Sequence, residues 1–206
     1  MKEIADDPRL EAWFSALLAT PGLTALRGDR EAAWRELVED SLTGLELVAS
    51  FDGPVVDVGS GGGVPGIPLA LALPDREVTL LEASGRKCAF LRDATAALAN
   101  VTVVQGRAEE QEPERFGVAV GKALAPPAVA AEWLLPLVAV GGAAIVYAGH
   151  VQGDLNVVAA ALGAAPPEAH PVATARDRSL LVFRKIAPTP AGFPRRVGVA
   201  RKRPLG

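Results

Sequence analysis

The segment from Val55 to Pro68 constrains the fold more than any other part of the chain. A short β-branched run carries an acid, Asp57, at its end, and a glycine-rich turn then leads into an apolar segment that can start a helix. Glycines let the backbone adopt positive φ and approach a ligand closely. A helix after such a turn directs free N–H groups and its positive dipole end at the ligand. The segment predicts a strand–turn–helix unit that binds a nucleotide-like molecule.

Strand-length and helix-length patterns alternate along the rest of the chain. The predicted strands are 54–58, 77–81, 101–105, 117–121, 143–147 and 179–185, the last antiparallel at the end of the sheet. The predicted helices are 8–19, 30–48, 66–73, 84–99, 127–138 and 151–162, with a loop at 164–167. Nearly continuous apolar strands that alternate with helices predict an α/β fold, in which helices cover both faces of a mostly parallel sheet.

Length and composition favour one domain with modest extensions. The 206 residues are half hydrophobic, which is enough for one sizeable core. We predict an N-terminal helical extension over 1–50 that packs on the core, a ligand-binding domain over 51–186 and a basic tail over 187–206. The chain shows no signal peptide and no apolar run of membrane-spanning length, so we expect a cytoplasmic protein that does not bind membranes. No coiled coil or long apolar edge calls for a partner subunit, and we expect a monomer.

Few residues are available for metal or redox chemistry. Cys88 is the only cysteine, which excludes an internal disulfide and suits a reducing compartment. His150 and His170 are the only histidines, and neither belongs to a recognisable acid–base pair. We therefore predict no metal site.

Charge is distributed unevenly along the chain. The net charge is −3, yet residues 184–206 contain seven Lys and Arg side chains and no acid. A basic end on an acidic body is typical of a protein that touches phosphates locally. Composition alone leaves a solvated, disordered end as an equal alternative.

The glycine turn fits two kinds of cofactor. Gly61, Gly63 and Gly66 match the dinucleotide fingerprint, and Glu82 follows about 20 residues later, where a ribose-binding acid is expected. The spacing Asp57-x-Gly59-x-Gly61-x-Gly63 instead resembles motif I of class I S-adenosylmethionine-dependent methyltransferases. In that case, too, the carboxylate of Glu82 would accept the ribose hydroxyls.

The surroundings of the turn favour the methyl donor. A proline is tolerated in the first turn of a helix, but Pro65 is unusual beside a pyrophosphate. The rest of the chain also lacks the residue pairs expected of a dehydrogenase: Tyr147, the only tyrosine, has no lysine four residues later.

From Glu39 to Leu205 the chain resembles the ribosomal RNA small-subunit methyltransferase G family, also called the glucose-inhibited division protein B family. The resemblance is carried by Asp40-Ser41-Leu42, the glycine loop at 57–69, the second strand and helix at 78–87, Gly106-Arg107-Ala108-Glu109, the Pro194-Arg195-Arg196 segment and Lys202-Arg203-Pro204-Leu205. The loop alone indicates only class I, whereas these motifs in this order are specific to the family.

The resemblance implies a Rossmann-like class I methyltransferase that methylates N7 of a guanine in a decoding-region hairpin of 16S ribosomal RNA. It implies S-adenosyl-L-methionine as cofactor, bound by Asp57, Gly59, Ser60, Gly61, Gly63, Val64, Glu82, Ala108, Glu109 and Lys122. Lys122 stands where the family usually has an arginine facing the active site, and we expect it to position the substrate by donating to guanine O6 or a phosphate. The chain departs from the family pattern there, at Leu37 in place of histidine and at Val64 in place of phenylalanine or leucine.

The chemistry expected of such an enzyme is simple. Guanine N7 already has an available lone pair, so alignment of N7, methyl and sulfur can supply most of the catalysis without a general base. The expected RNA contacts to 16S rRNA or the small ribosomal subunit are Arg195, Arg196, Arg201, Lys202 and Arg203. Two other functions remain compatible with the sequence: a divergent class I methyltransferase with another substrate, and a non-catalytic RNA-binding relative.

Overall fold

The computed structural model describes residues 2–149, 154–172 and 178–205. They form one seven-stranded sheet in the order β3-β2-β1-β4-β5-β7-β6. The strands are β1 Val55–Val58, β2 Val78–Glu82, β3 Val101–Gln105, β4 Phe116–Lys122, β5 Val138–Ala148, β6 Glu168–Pro171 and β7 Ser179–Arg184. Strands β1 to β5 are parallel, and β7 is antiparallel to both β5 and β6. The predicted α/β fold with a mostly parallel sheet is confirmed.

Strand β1 lies at the point where the winding of the sheet changes direction. Val55 is in register with Val78 of β2 on one side and with Val118 of β4 on the other. The chain runs outward through β2 and β3 and then crosses to β4 on the opposite side of β1. In open α/β sheets this arrangement leaves a crevice outside the carboxyl ends of the strands, where ligands bind.

Helices cover both faces of the sheet. They are α1 Lys2–Ala5, α2 Pro8–Ala19, α3 Arg30–Trp34, α4 Asp40–Leu42, α5 Leu45–Ala49, α6 Gly66–Ala72, α7 Gly85–Ala94, α8 Pro127–Leu134, α9 Leu155–Ala161 and α10 Val199–Lys202. None of the described helices is long and apolar enough to cross a membrane. Because strand side chains alternate between faces, Val55 belongs to a core with α2 and α6, and Val56 to a second core with α8 and α9.

Helix α2 shows how the N-terminal segment is fixed to the first core. Pro8 occupies the first turn, and the side chain of Asp7 caps the helix by accepting from the Arg9 backbone N–H. The buried face presents residues three and four apart, Leu10, Trp13, Phe14 and Leu17. The indole N–H of Trp13 donates to the carbonyl of Gly62 at 2.8 Å, so this helix also supports the glycine turn.

The helix predicted over 30–48 is wrong as a single element. The structure has α3, a π-helical turn at Arg35–Glu39, α4, a turn and then α5. The break follows from close packing, since the Tyr147 hydroxyl donates to the Ser41 carbonyl at 2.6 Å and a Cβ on Gly44 would overlap that hydroxyl. The backbone can bring Gly44 this close to the sheet only because glycine has no side chain.

Other differences lie at element ends and at one sheet edge. The predicted helices 84–99 and 127–138 end early, at Ala94 and Leu134, and β5 begins five residues before its prediction, at Val138. The prediction missed β6, so β7 is antiparallel as predicted but is not the edge strand. The predicted start of the helix over 151–162 lies partly outside the described residues, which show α9 from Leu155.

One side of the C-terminal arm, residues 189–205, packs on the core, and the other side is exposed. Ala200 is buried, and Phe193 and Leu205 pack against the second core. The disordered end that composition left open is therefore not what the structure has.

Candidate functional site

Two cavities lie side by side at the carboxyl edge of the parallel strands. The first cavity, of about 320 Å³, is lined by residues at or just after the ends of β1, β2, β3 and β4, together with part of α8 and the C-terminal arm. The second cavity, of about 160 Å³, is lined by the ends of β4 and β5, the start of β7 and the segment around α4. Ala123, directly after β4, lines both. Two ligands bound in these cavities would therefore be neighbours.

The glycine turn forms one side of the first cavity through its backbone. Gly59, Gly61 and Gly63 all have positive φ, and the Gly59 N–H donates to the Leu81 carbonyl at 2.7 Å. A Cβ at Gly59 would meet the Leu124 side chain, which itself lines the first cavity. Side chains on this turn would therefore obstruct the cavity, whereas glycines let the backbone approach a ligand closely.

Asp57 supports the turn from beneath and does not line either cavity. Its carboxylate is fully buried, and Oδ2 accepts from the Gly66 N–H at 3.0 Å at the start of α6. Its other oxygen, Oδ1, has no hydrogen-bond partner in the described part of the chain. Burial disfavours the charged form and raises the pKa of Asp57 to about 7, against the opposing effect of the Gly66 hydrogen bond.

Glu82 ends β2 and presents its carboxylate to the first cavity. Its Oε2 accepts from the Gly61 N–H at 2.9 Å, and its Oε1 accepts from the Ser84 N–H at 2.8 Å. Each oxygen has a second lone pair, so the carboxylate can still accept two hydroxyl donors. This arrangement fits a ligand with vicinal hydroxyls, such as a ribose.

The far end of the first cavity combines a turn with an aromatic side chain. Ala108 and Glu109 lie in the 3-10 turn after β3, and they line the cavity together with Trp133 of α8. The Trp133 Nε1 is buried and has no partner among the described residues. A flat apolar wall with an unsatisfied donor suits a heteroaromatic base. The first cavity therefore has the groups needed to hold both the ribose and the adenine of S-adenosylmethionine.

The second cavity is dominated by paired charges. Lys122 Nζ lies 2.7 Å from Asp40 Oδ2, and the guanidinium of Arg178 pairs with both Asp40 and Glu36. The side chains of Lys122 and Asp40 are each 8% exposed. Burial lowers the pKa of Lys122, while Asp40 and Glu36 oppose that shift. Such a cavity can offer hydrogen bonds to both the donors and the acceptors of a polar base.

The structure separates the predicted site residues into groups. Gly59, Glu82, Ala108 and Glu109 line the first cavity, whereas Asp57, Ser60, Gly61, Gly63 and Val64 form the turn or support it from behind. Lys122 lines the second cavity and not the first.

The basic residues of the arm also differ in their surroundings. Arg195 pairs with the buried Glu132 of α8, which leaves its guanidinium engaged within the protein. Arg196, Arg201, Lys202 and Arg203 are exposed.

Several lining residues were not singled out from the sequence. In the first cavity they include Arg107, Leu124, Trp133 and Gly198, and in the second Glu36 and Arg178. Arg107 stands within a motif already noted, and its position after β3 was a usable signal. Glu36 and Arg178 lie 142 residues apart, so no local pattern connects them.

The family model described as rRNA small subunit methyltransferase G (GidB) matches residues 14–161, more than half of the chain. A ribosomal RNA small subunit methyltransferase G from Pelotomaculum thermopropionicum is 39% identical over 198 residues, covering 89% of this chain and 82% of that protein. One of the same name from Roseiflexus castenholzii is 35% identical, covering 99% of this chain and 92% of that protein.

Solved structures with a similar fold are more distant in sequence. The S-adenosylmethionine-dependent methyltransferase SibL has a TM-score of 0.61 at 18% identity, covering 84% of this chain and 62% of its own. A putative S-adenosyl-L-methionine-dependent methyltransferase from Methanococcus maripaludis has a TM-score of 0.57 at 15% identity, covering 82% of this chain and 96% of its own. These likenesses concern the fold alone.

Proposed function

The chain belongs to the rRNA small subunit methyltransferase G family, and we propose that it transfers the methyl group of S-adenosyl-L-methionine to N7 of a guanine in 16S ribosomal RNA. The observation that carries this proposal is the pair of adjacent cavities that meet at Ala123. One has the groups to hold the methyl donor, and the other has the charged groups to hold a base.

In this proposal the methyl donor binds in the first cavity. Glu82 accepts the ribose hydroxyls, and the 3-10 turn at Ala108 and Glu109 lies against the adenine. Gly59 lets the backbone approach the methionine end, while Asp57 and Ser60 hold the turn in shape, the Ser60 Oγ donating to the Asp57 carbonyl at 2.8 Å. When bound, S-adenosylmethionine supplies an electrophilic methyl group on its sulfonium.

The second cavity holds the methyl acceptor. Lys122 and Arg178 donate to guanine O6 or to a flanking phosphate, and the carboxylates of Asp40 and Glu36 hold these two cations in place. Guanine N7 needs no general base, because its lone pair is already available. The protein therefore contributes mainly by aligning the two reactants, an effect worth up to about 7–11 kcal/mol in well-oriented systems.

The proposal also assigns functions to the three segments of the chain. Residues 51–186 bind the methyl donor, residues 1–50 pack on that domain and complete the second cavity, and residues 187–206 contact RNA. Arg196, Arg201, Lys202 and Arg203 are exposed cations of that last segment. Since its substrate is ribosomal RNA, the enzyme acts in the cytoplasm, and it acts as a monomer, which sedimentation equilibrium can check.

The proposal is tested by transfer of labelled methyl from S-adenosylmethionine to 30S particles, 16S rRNA and total protein, followed by nucleoside analysis. The expected product is 7-methylguanosine in RNA. Glu82→Gln should reduce the yield at least tenfold, because the neutral amide is a poorer acceptor for ribose hydroxyls. Glu77→Gln is the matched control, since Glu77 is exposed just before the opposite end of the same strand.

Two outcomes would contradict the proposed function. Label in protein or a small molecule but not in RNA would indicate a divergent methyltransferase with another substrate. Binding of the methyl donor and of RNA without transfer would indicate a non-catalytic relative.

A further inference from the structure

We infer that the C-terminal arm is a wall shared by the two ligands: its inner side closes the first cavity, its outer side binds RNA phosphates, and methyl donor and RNA therefore strengthen each other's binding. The inference rests on the proposed function, because it takes the first cavity as the site of the methyl donor. It goes beyond that function by making the arm part of the cofactor site.

The inner side of the arm lines the first cavity. Gly198 and Arg201 are both lining residues. The Gly198 N–H donates to Glu109 Oε1 at 3.2 Å, which attaches the arm to the turn after β3. The Arg201 guanidinium lies 5.2 Å from the centroid of the Trp133 ring, within the range of a cation–π contact. The arm thus touches both sides of the end of the cavity that suits a base.

A buried ion pair holds the arm in this position. Arg195 makes two hydrogen bonds to the carboxylate of Glu132, whose side chain is 2% exposed. The same guanidinium donates to the Arg203 carbonyl at 2.8 Å, which closes the arm on itself. Because Glu132 precedes Trp133 in α8, the ion pair fixes the arm beside the aromatic wall of the cavity. Arg195 is therefore a positioning residue rather than an RNA contact.

The outer side of the arm is free to meet RNA. Arg196, Lys202 and Arg203 are exposed, and none of them belongs to a salt bridge among the described residues. The segment 184–206 contains no acid that would oppose a phosphate. Cations of this kind provide RNA affinity that falls as salt rises.

An element that contacts two ligands couples their binding. Either ligand that orders the arm against α8 reduces the ordering cost for the other, and the coupling must be equal in both directions. Coupling between sites is commonly about 5–150-fold in affinity. We expect an effect at the lower end of that range, because the Arg195–Glu132 ion pair and the Gly198–Glu109 hydrogen bond already restrict the arm.

The test is calorimetric titration of the full chain with S-adenosylhomocysteine, which binds without reacting, in the absence and presence of saturating 16S rRNA transcript. We expect RNA to lower the Kd for S-adenosylhomocysteine about fivefold. Glu132→Gln should remove this effect, because a neutral amide no longer anchors Arg195. Arg201→Gln should do the same, and its exposed side chain makes loss of the fold a poor explanation.

Two control variants distinguish an effect of the arm from an effect of overall positive charge. Arg115→Gln removes an exposed arginine at the opposite edge of the sheet, which pairs with the exposed Glu112, and should keep the coupling of the unaltered chain. The double change Arg196→Gln and Lys202→Gln should weaken RNA binding and leave S-adenosylhomocysteine affinity without RNA unchanged.

The inference is overturned by equal S-adenosylhomocysteine affinity with and without RNA, or by coupling that survives in both Glu132→Gln and Arg201→Gln. If the enzyme still forms 7-methylguanosine, either result would contradict the shared wall and leave the proposed function intact. Failure of the unaltered chain to bind S-adenosylhomocysteine would instead remove the proposed function.

Discussion

The two cavities are neighbours, yet they are built in different ways. On the side of the sheet, the first is shaped by backbone that follows consecutive strands, with glycines at positive φ and the carboxylate of Glu82 at a strand end, and the C-terminal arm closes it. The second is shaped by charged side chains from distant segments, such as Glu36 and Arg178. Binding of the methyl donor therefore depends largely on local backbone geometry, whereas choice of the acceptor depends on charges that only the complete fold brings together.

The largest effect is expected from obstructing the backbone of the first cavity. Gly59→Ala should weaken S-adenosylhomocysteine binding at least 100-fold, because its Cβ would meet Leu124 and Gly59 has a φ of +71°. The strained backbone should also cost about 1–3 kcal/mol of unfolding free energy. Calorimetric titration and urea unfolding measure the two effects. Gly28→Ala is the control, since its Cβ would meet no atom within 4 Å; equal losses in both variants would contradict the account.

Removing the shared carboxylate of the second cavity should affect stability and the acceptor, not the methyl donor. Asp40→Ala leaves the buried Lys122 without its counter-ion and Arg178 with Glu36 alone, which should cost about 3–5 kcal/mol in urea unfolding. Methyl transfer should fall while the Kd for S-adenosylhomocysteine stays within about twofold, since no lost contact faces the first cavity. The control, Glu31→Ala, removes an exposed partner of Arg35 and should cost no more than about 0.5 kcal/mol. A parallel loss of donor affinity would mean that the cavities form one site.

The raised pKa of Asp57, which supports the glycine turn, should make the stability of the protein depend on pH. Its pKa is raised in the folded protein to about 7, so the folded state holds a proton that the unfolded state loses at lower pH. The stability that depends on this proton is present below the unfolded pKa of about 3.9 and decreases as pH rises through about 7. Unfolding free energy should therefore fall with pH more steeply in the unaltered chain than in Asp57→Asn, whose side chain does not titrate. Parallel curves between pH 5 and 8 would contradict this assignment.

A smaller effect distinguishes a role of Lys122 in binding the acceptor from a role in binding the cofactor. Lys122→Gln should reduce methyl transfer about tenfold, because a charge-assisted donor to the acceptor is lost. S-adenosylhomocysteine affinity should change less than about twofold, since Lys122 lines the second cavity and not the first. Lys87→Gln is a matched control, because Lys87 lines the first cavity instead. A larger loss of donor affinity in Lys122→Gln than in Lys87→Gln would restore Lys122 as a cofactor-binding residue.

The sequence could predict the features that depend on local backbone patterns, but not those that distant segments form together. Local patterns were enough for the parallel strands, the glycine turn and Glu82 at the end of the next strand. They were not enough for β6, a short edge strand with mostly exposed side chains, because exposed edges carry little hydrophobic pattern. They also missed the break near Gly44, which depends on Tyr147 more than 100 residues later. Trp133 was missed, and Arg201 was predicted only as an RNA contact, because only the folded arm brings the two side chains to one cavity.

The most direct test of the central claim is to map methylation on 16S rRNA after incubating 30S particles with the enzyme and S-adenosylmethionine. Because borohydride reduction of 7-methylguanosine followed by aniline treatment cleaves the strand at that nucleotide, the modified position appears as a defined break. The account predicts one enzyme-dependent break at a guanine in the decoding region, with 7-methylguanosine recovered from the same RNA. An enzyme that binds S-adenosylhomocysteine normally but produces no such break in any RNA would contradict it.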